Sequence, residues 1–252
     1  MGDKMIYVIG IGPGSREAMT FEAMEAIEKS DVIVGYKTYI DLIMDLVSHK
    51  EIVSNGMKQE IDRVKKAVEI SGTGKTVAVI SSGDAGVYGM AGLVLEMANG
   101  EDVKVISGIT ASTAAAAVLG APLMHDFCHI SLSDLLTPLE LIYKRVELAA
   151  QADFVICIYN PRSKGRPEYL KNSFEVIKKY KSGTTPVGVV RNVYRDNQEI
   201  NICTLDTIDF EIVDMTSIVI VGNSSTYIKD DKIITKRGYH LKQNYTEKNL
   251  EA

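Results

Sequence analysis

A chain of 252 residues, 46% hydrophobic and 24% charged, has the composition of an ordinary globular protein that buries one large core or two smaller ones, which excludes a disordered or fibrous chain. A net charge of −5 provides no general basic face for phosphates, so a nucleic-acid partner is not expected and any anionic ligand must be held by a few local arginines. No apolar run reaches the roughly 20 residues that cross a bilayer, and the N-terminus leads straight into a strand without a signal region, so a cytoplasmic protein with no membrane partner is expected.

The first strand is predicted over residues 5–9 and runs into the turn GIGPGS of residues 10–15, where glycine lets backbone approach a ligand. As a dinucleotide fingerprint the turn is poor, because Ser15 takes the third glycine position and Pro13 intrudes. A helix follows over 20–30 with Thr20 as its cap, then a strand over 32–35 and a helix over 59–70 with apolar residues at three- and four-residue spacing. GTGKT at residues 72–76 lacks phosphate-loop spacing and reads as a helix C-cap and turn. The strand over 76–81 opens into SSGDAGVYGMAG, residues 81–92, where an acid at a parallel strand's C-terminal end either caps the next helix or lines a ligand pocket. After a strand over 103–106, the small residues of 107–123 permit close helix packing and leave room for a flat ligand.

Beyond Gly120 the rhythm changes to strands over 128–132, 154–159, 187–191, 199–204 and 217–221, with helices over 139–150 and 168–181. The expected fold class is α/β in two domains: residues 1–120 with a mainly parallel sheet, 121–242 with a mixed α+β sheet, and a polar, frayed tail over 243–252. Asp134 or Thr137 is a plausible cap for the helix at 139. His125, Asp126 and His129 lack the spacing of a metal pair, and Cys128, Cys157 and Cys203 are dispersed in strand-like segments, so no metal is expected and the thiols read as structural. The loop after Tyr159 carries Arg162, Lys164 and Arg166, which is either solvated surface or a set of forks for a polycarboxylate.

Together, GIGPG, GDAGVYG and GITAS (residues 108–112) resemble the S-adenosylmethionine-dependent tetrapyrrole (corrin/porphyrin) methylase family. Residues 120–138, 153–166, 189–198 and 215–225 resemble its precorrin-3B or cobalt-factor III C(17)-methyltransferase branch. Ala85 and Ser107 stand where proline is frequent in the family. The resemblance implies two α/β domains with a ligand crevice between them, a homodimer, and S-adenosylmethionine as methyl donor, leaving as S-adenosylhomocysteine. It places Gly83, Asp84, Val87, Tyr88, Thr110, Ala111, Tyr159, Val193 and Thr216 at the cofactor. The implied substrate is a tetrapyrrole methylated at carbon 17 with ring contraction, in cobalamin synthesis. Pro13, Arg162, Arg166 and Arg191 are candidate substrate contacts, and His125, Asp126 and Asp134 are candidates for the proton transfer that contraction requires. Methylation of another precorrin carbon, a non-catalytic corrinoid-binding protein and a nicotinamide enzyme remain as alternatives.

Overall fold

The structure, a computed structural model, describes residues 5–56 and 59–239; the tail expected over 243–252 lies outside them. The chain divides into two compact units, Met1–Ala114 with Val193–Asp196, and Ala115–Asn192 with Asn197–Ala252.

In the first unit the order is β1 (Met5–Gly10), α1 (Phe21–Lys29), β2 (Val32–Tyr36), α2 (Lys37–Asp41), α3 (Met44–Val47), β3 (Glu51–Asn55), α4 (Glu60–Ser71), β4 (Val77–Ser81), α5 (Ala91–Met97), β5 (Asp102–Ile106) and the start of α6 (Ala111–Leu119). All five strands are parallel, in the order β3-β2-β4-β1-β5. Their near-continuous Val and Ile content follows from burial on both faces. Val8, Val34 and Val79 pack with α4 and α5, while Ile9, Ile33 and Ile80 pack with α1, α2 and α3. Thr20 caps α1 as expected, its hydroxyl accepting from Ala23 N at 3.1 Å. Gly72 ends α4 and Gly74 takes a left-handed turn (φ +89°), the reading given to GTGKT.

The division falls inside α6, ahead of the Gly120-Ala121-Pro122 boundary expected from the sequence. The second half of that helix belongs with the second unit because Leu119 lies against Gly188, where an added Cβ would stand 2.4 Å from its Cδ1. The second unit continues with β6 (Gly120–Ala121), β7 (Phe127–Ser131), α7 (Leu139–Gln151), β8 (Val155–Tyr159), α8 (Tyr169–Ile177), β9 (Pro186–Arg191), β10 (Glu199–Thr204), β11 (Ser217–Val221), β12 (Thr226–Lys229) and β13 (Lys232–Thr235). Its main sheet, ordered β10-β9-β11-β8-β7, is mixed: β7 runs parallel to β8, and β11 antiparallel to both neighbours. Ile142, Val146 and Phe174 of α7 and α8 cover one face.

Neither Asp134 nor Thr137 caps α7; Pro138 holds the cap position with no side-chain bond. Asp134 accepts instead from the Tyr169 hydroxyl at 2.7 Å. The helix predicted to reach residue 181 stops at Ile177, and Lys181 turns inward to Asp153 at 2.9 Å with its side chain only 2% exposed. Burial alone would raise the Asp153 carboxyl, but hydrogen bonds from Ser224 and Lys181 outweigh it and hold the group below its ordinary range. A lowered folded-state pKa gives stability that is present above the unfolded value, about 3.9, and is lost as the pH falls through the folded one. Asp153→Asn, which tolerates the left-handed backbone there (φ +58°), should lower the melting temperature at neutral pH. The gap to the unaltered protein should close toward pH values below about 4. A gap of constant size across pH would show that the carboxylate does not carry the effect.

Candidate active site

In the first unit, β1 leads to α1 on one face of the sheet while its neighbour β4 leads to α5 on the other. Such a divergence opens a space at the strands' C-terminal ends, where open α/β sheets take ligands. The loops meet there backbone to backbone. Gly12 and Gly83 exchange hydrogen bonds of 3.0 and 2.7 Å. A Cβ on Gly10 would lie 2.7 Å from both Gly83 O and Gly108 N, so the glycine-rich turn is a packing device joining the ends of β1, β4 and β5.

Asp84 does not cap α5, whose cap position is Met90. Its Oδ1 accepts from Gly86 N (2.8 Å) and Val87 N (3.1 Å), and its Oδ2 from Gly108 N (3.0 Å). One carboxylate thereby ties the β4 loop to the β5 loop. Gly83 faces the start of α6 with no side chain in between: an added Cβ would sit 3.6 Å from Ala111 N and 3.8 Å from Thr110 Cα. The structure therefore brings Gly83 against the backbone of Thr110 and Ala111, while Asp84 holds the loop that carries Val87 and Tyr88 to Gly108. Tyr88 is exposed in a left-handed conformation (φ +54°), a local strain that surrounding structure must hold in place. Val193 is buried on the 193–196 segment that belongs to this unit.

The same segment supplies a side chain that the sequence reading passed over. Arg195 lies along Gly14, where a Cβ would come within 2.4 Å of its Cγ. Its Nε donates to Pro13 O at 3.1 Å, and its Nη2 stands 3.4 Å from Ser82 Oγ. Beside this group, burial raises the Tyr39 hydroxyl above its ordinary range, opposed by the nearby guanidiniums of Arg195 and Arg63.

In the second unit, Asp134, Tyr159, Arg191 and Thr216 follow or precede strands at one end of the main sheet, since β7, β8 and β9 end where β11 begins. A cavity of about 390 Å³ there is lined by Arg162, Ser163, Lys164, Asp214, Met215 and Thr216, among others. The arginines already have partners. Arg162 is bidentate to Glu211 (2.9 Å to each oxygen) and donates to Phe210 O. Arg166 donates to Leu132 O and lies 3.9 Å from Asp134. Arg191 pairs with Glu199 and Asp214, although its Nε is buried without a partner. Thr216 is held by Asp214 through its N–H and its hydroxyl.

The proton-transfer trio is not brought together. His125 and Asp126 precede β7 and Asp134 follows it, so the five-residue strand separates them by roughly 16 Å. Both residues of the pair are open to solvent, 50% and 85% exposed at their side chains. His129 of β7 meets the Tyr159 ring edge-on, 5.3 Å between centroids, and burial holds its imidazole below the usual range. Burial also pushes the Cys128 and Cys203 thiols up to about 11 and Cys157 higher still, so none is a thiolate at neutral pH.

The profile of the Tetrapyrrole (Corrin/Porphyrin) Methylases matches residues 5–209. A probable cobalt-factor III C(17)-methyltransferase of Salmonella typhimurium is 54% identical over 94% of this chain and all of its own length. A cobalt-factor III methyltransferase of Priestia megaterium is 51% identical over 97% of this chain, which spans 47% of that longer protein. Among solved structures, that of the methyltransferase CobJ superposes with a TM-score of 0.88 at 35% identity, covering 94% of this chain and 100% of the other.

Proposed function

Because the chain belongs to the tetrapyrrole (corrin/porphyrin) methylases, we propose that it transfers a methyl group from S-adenosylmethionine to carbon 17 of a cobalt-factor III or precorrin-3B type tetrapyrrole, with ring contraction, in cobalamin synthesis. The observation that carries this reading is 54% identity, sustained over all of a relative's length, to a protein named for that reaction. The wall of the first unit suits the methyl donor. Gly83 there presents backbone against Thr110 and Ala111, a surface on which a flat group can lie, and Asp84 and Val87 adjoin it on the same loop. Val193, Tyr159 and Thr216 are retained as proposed cofactor contacts on the family resemblance alone.

A sulfonium methyl is already activated, so the chain's task is to orient donor and ring carbon and exclude water, without a covalent nucleophile. Pro13, Arg162, Arg166 and Arg191 remain the proposed contacts for the macrocycle. Of the proton-transfer candidates, Asp134 stands at the same sheet end as Tyr159 and Thr216 and is retained, whereas His125 and Asp126 stand at the other. The proposal includes a homodimer, on the family resemblance, and a cytoplasmic enzyme; no helix among the described residues is long and apolar enough to cross a membrane.

The test is incubation of the purified protein with labelled S-adenosylmethionine and either cobalt-factor III or metal-free precorrin-3B, followed by mass spectrometry and carbon NMR. Gain of one methyl at carbon 17 is expected. Incorporation at another ring carbon, or into neither compound, would overturn the assignment.

A further inference from the structure

Two arginines of the first unit that are not exposed have, among the described residues, no carboxylate oxygen within 4.0 Å. Among the described residues, the arginines that are not exposed are Arg63, Arg162, Arg166, Arg191 and Arg195. Arg162, Arg166 and Arg191 each have a carboxylate oxygen within 4.0 Å. Arg63 and Arg195 have only neutral acceptors. Arg63, 4% exposed, donates to Asn55 Oδ1 at 2.9 Å and Gly56 O at 3.1 Å and lies 3.8 Å from Met90 Sδ. Glu60, one turn earlier on α4, acts on Arg63 electrostatically, but burial outweighs it and holds the guanidinium below its ordinary range. Arg195 has Pro13 O and a long approach to Ser82 Oγ.

A guanidinium withdrawn from water without a counter-charge is unfavourable, fully so for buried Arg63 and in part for half-buried Arg195. In a chain of net charge −5, leaving two such groups unpaired is not a matter of acid shortage. Their positions are also particular. Pro13 follows β1, Ser82 follows β4, Asn55 ends β3 and Met90 precedes α5, so both guanidiniums stand at the C-terminal ends of the parallel strands, on the side where the Gly83 wall lies. Tyr39 is near enough to feel both charges.

We infer that Arg195, backed by Arg63, is a carboxylate-recognition site of the first unit. Arg195 is the contacting group, because it is half-buried on a loop and Nη1 has no described partner; Arg63 is a positioning residue that adds positive potential and pins the β3 end. A planar carboxylate matches the guanidinium fork. The inference rests on the proposed function, whose two ligands both carry carboxylates: the amino-acid part of the methyl donor and the periphery of the macrocycle.

The experiment is calorimetric titration of the full chain and of Arg195→Ala and Arg195→Lys with S-adenosylhomocysteine and, separately, with cobalt-factor III, at low and high salt, with melting temperatures recorded. Arg195→Ala is expected to weaken one ligand at least about tenfold and to flatten its salt dependence, with Arg195→Lys in between. Loss confined to cobalt-factor III assigns the site to the macrocycle, and loss confined to S-adenosylhomocysteine assigns it to the methyl donor. Unchanged affinity for both, or an equal loss for both with a lowered melting temperature, would overturn the inference and leave Arg195 as a clamp on Pro13. Binding of neither ligand by the unaltered chain would remove the proposed function, and this inference with it.

Discussion

Gly108→Ala is expected to destabilise the first unit by about 3 kcal/mol or more, enough to leave most of the expressed protein insoluble. The added Cβ would stand 2.2 Å from Gly83 O and 2.5 Å from Gly10 O. Both are backbone atoms at the ends of buried parallel strands, and neither has a rotamer with which to yield. Relieving the clash requires separating the β5 loop from the β1 and β4 loops, which also pulls Gly108 N from Asp84. Gly92→Ala is the matched control. That residue lies in α5 with nothing within 4 Å of an added Cβ, so alanine should be neutral or stabilising by up to about 1 kcal/mol. Urea denaturation of the two variants checks the contrast. If Gly108→Ala unfolds within about 1 kcal/mol of the unaltered protein, the three loops are not packed as described.

Asp84→Ala is the second large effect, expected to weaken S-adenosylhomocysteine binding about 10- to 100-fold, the equivalent of one charged hydrogen bond of about 1.5 to 3 kcal/mol. The loss arises through shape. With the carboxylate gone, Gly86 N, Val87 N and Gly108 N lose their acceptor, and the loop bearing Val87 and Tyr88 is no longer tied to the β5 end. Asp84→Asn should fall between the two, because an amide oxygen replaces one acceptor while the amide nitrogen faces a donor and cannot accept. Calorimetric titration of the three proteins gives the order directly. An unchanged affinity for Asp84→Ala would exclude this loop from the cofactor wall.

The parallel sheet was legible because β1, β2 and β4 are short runs of Val and Ile separated by stretches of helical period, a pattern with few other physical solutions. Elements with weaker local signals were missed. β3 is the short, half-polar EIVSN at the sheet edge. The β12–β13 hairpin turns through Asp230 and Asp231, both left-handed (φ +48° and +53°), where glycine or asparagine would have announced the turn.

Residue type and motif by themselves determined the α/β alternation, the mixed second sheet, the cap at Thr20 and the family membership. Tertiary structure alone decided which charges are already neutralised. Arg162 and Arg166 look like free forks in a cationic loop, yet Glu211 is 49 residues from Arg162 in sequence and reaches it only through the fold. Arg195 lies in an ordinary polar stretch, but 182 residues from Pro13 it settles on the glycine-rich turn, where among the described residues no acid pairs with it. His125, Asp126 and Asp134 are close in sequence and part company because an extended strand runs between them. Sequence patterns report local period and burial, whereas pairing of charges depends on which distant segments a fold makes neighbours, and no periodicity records that.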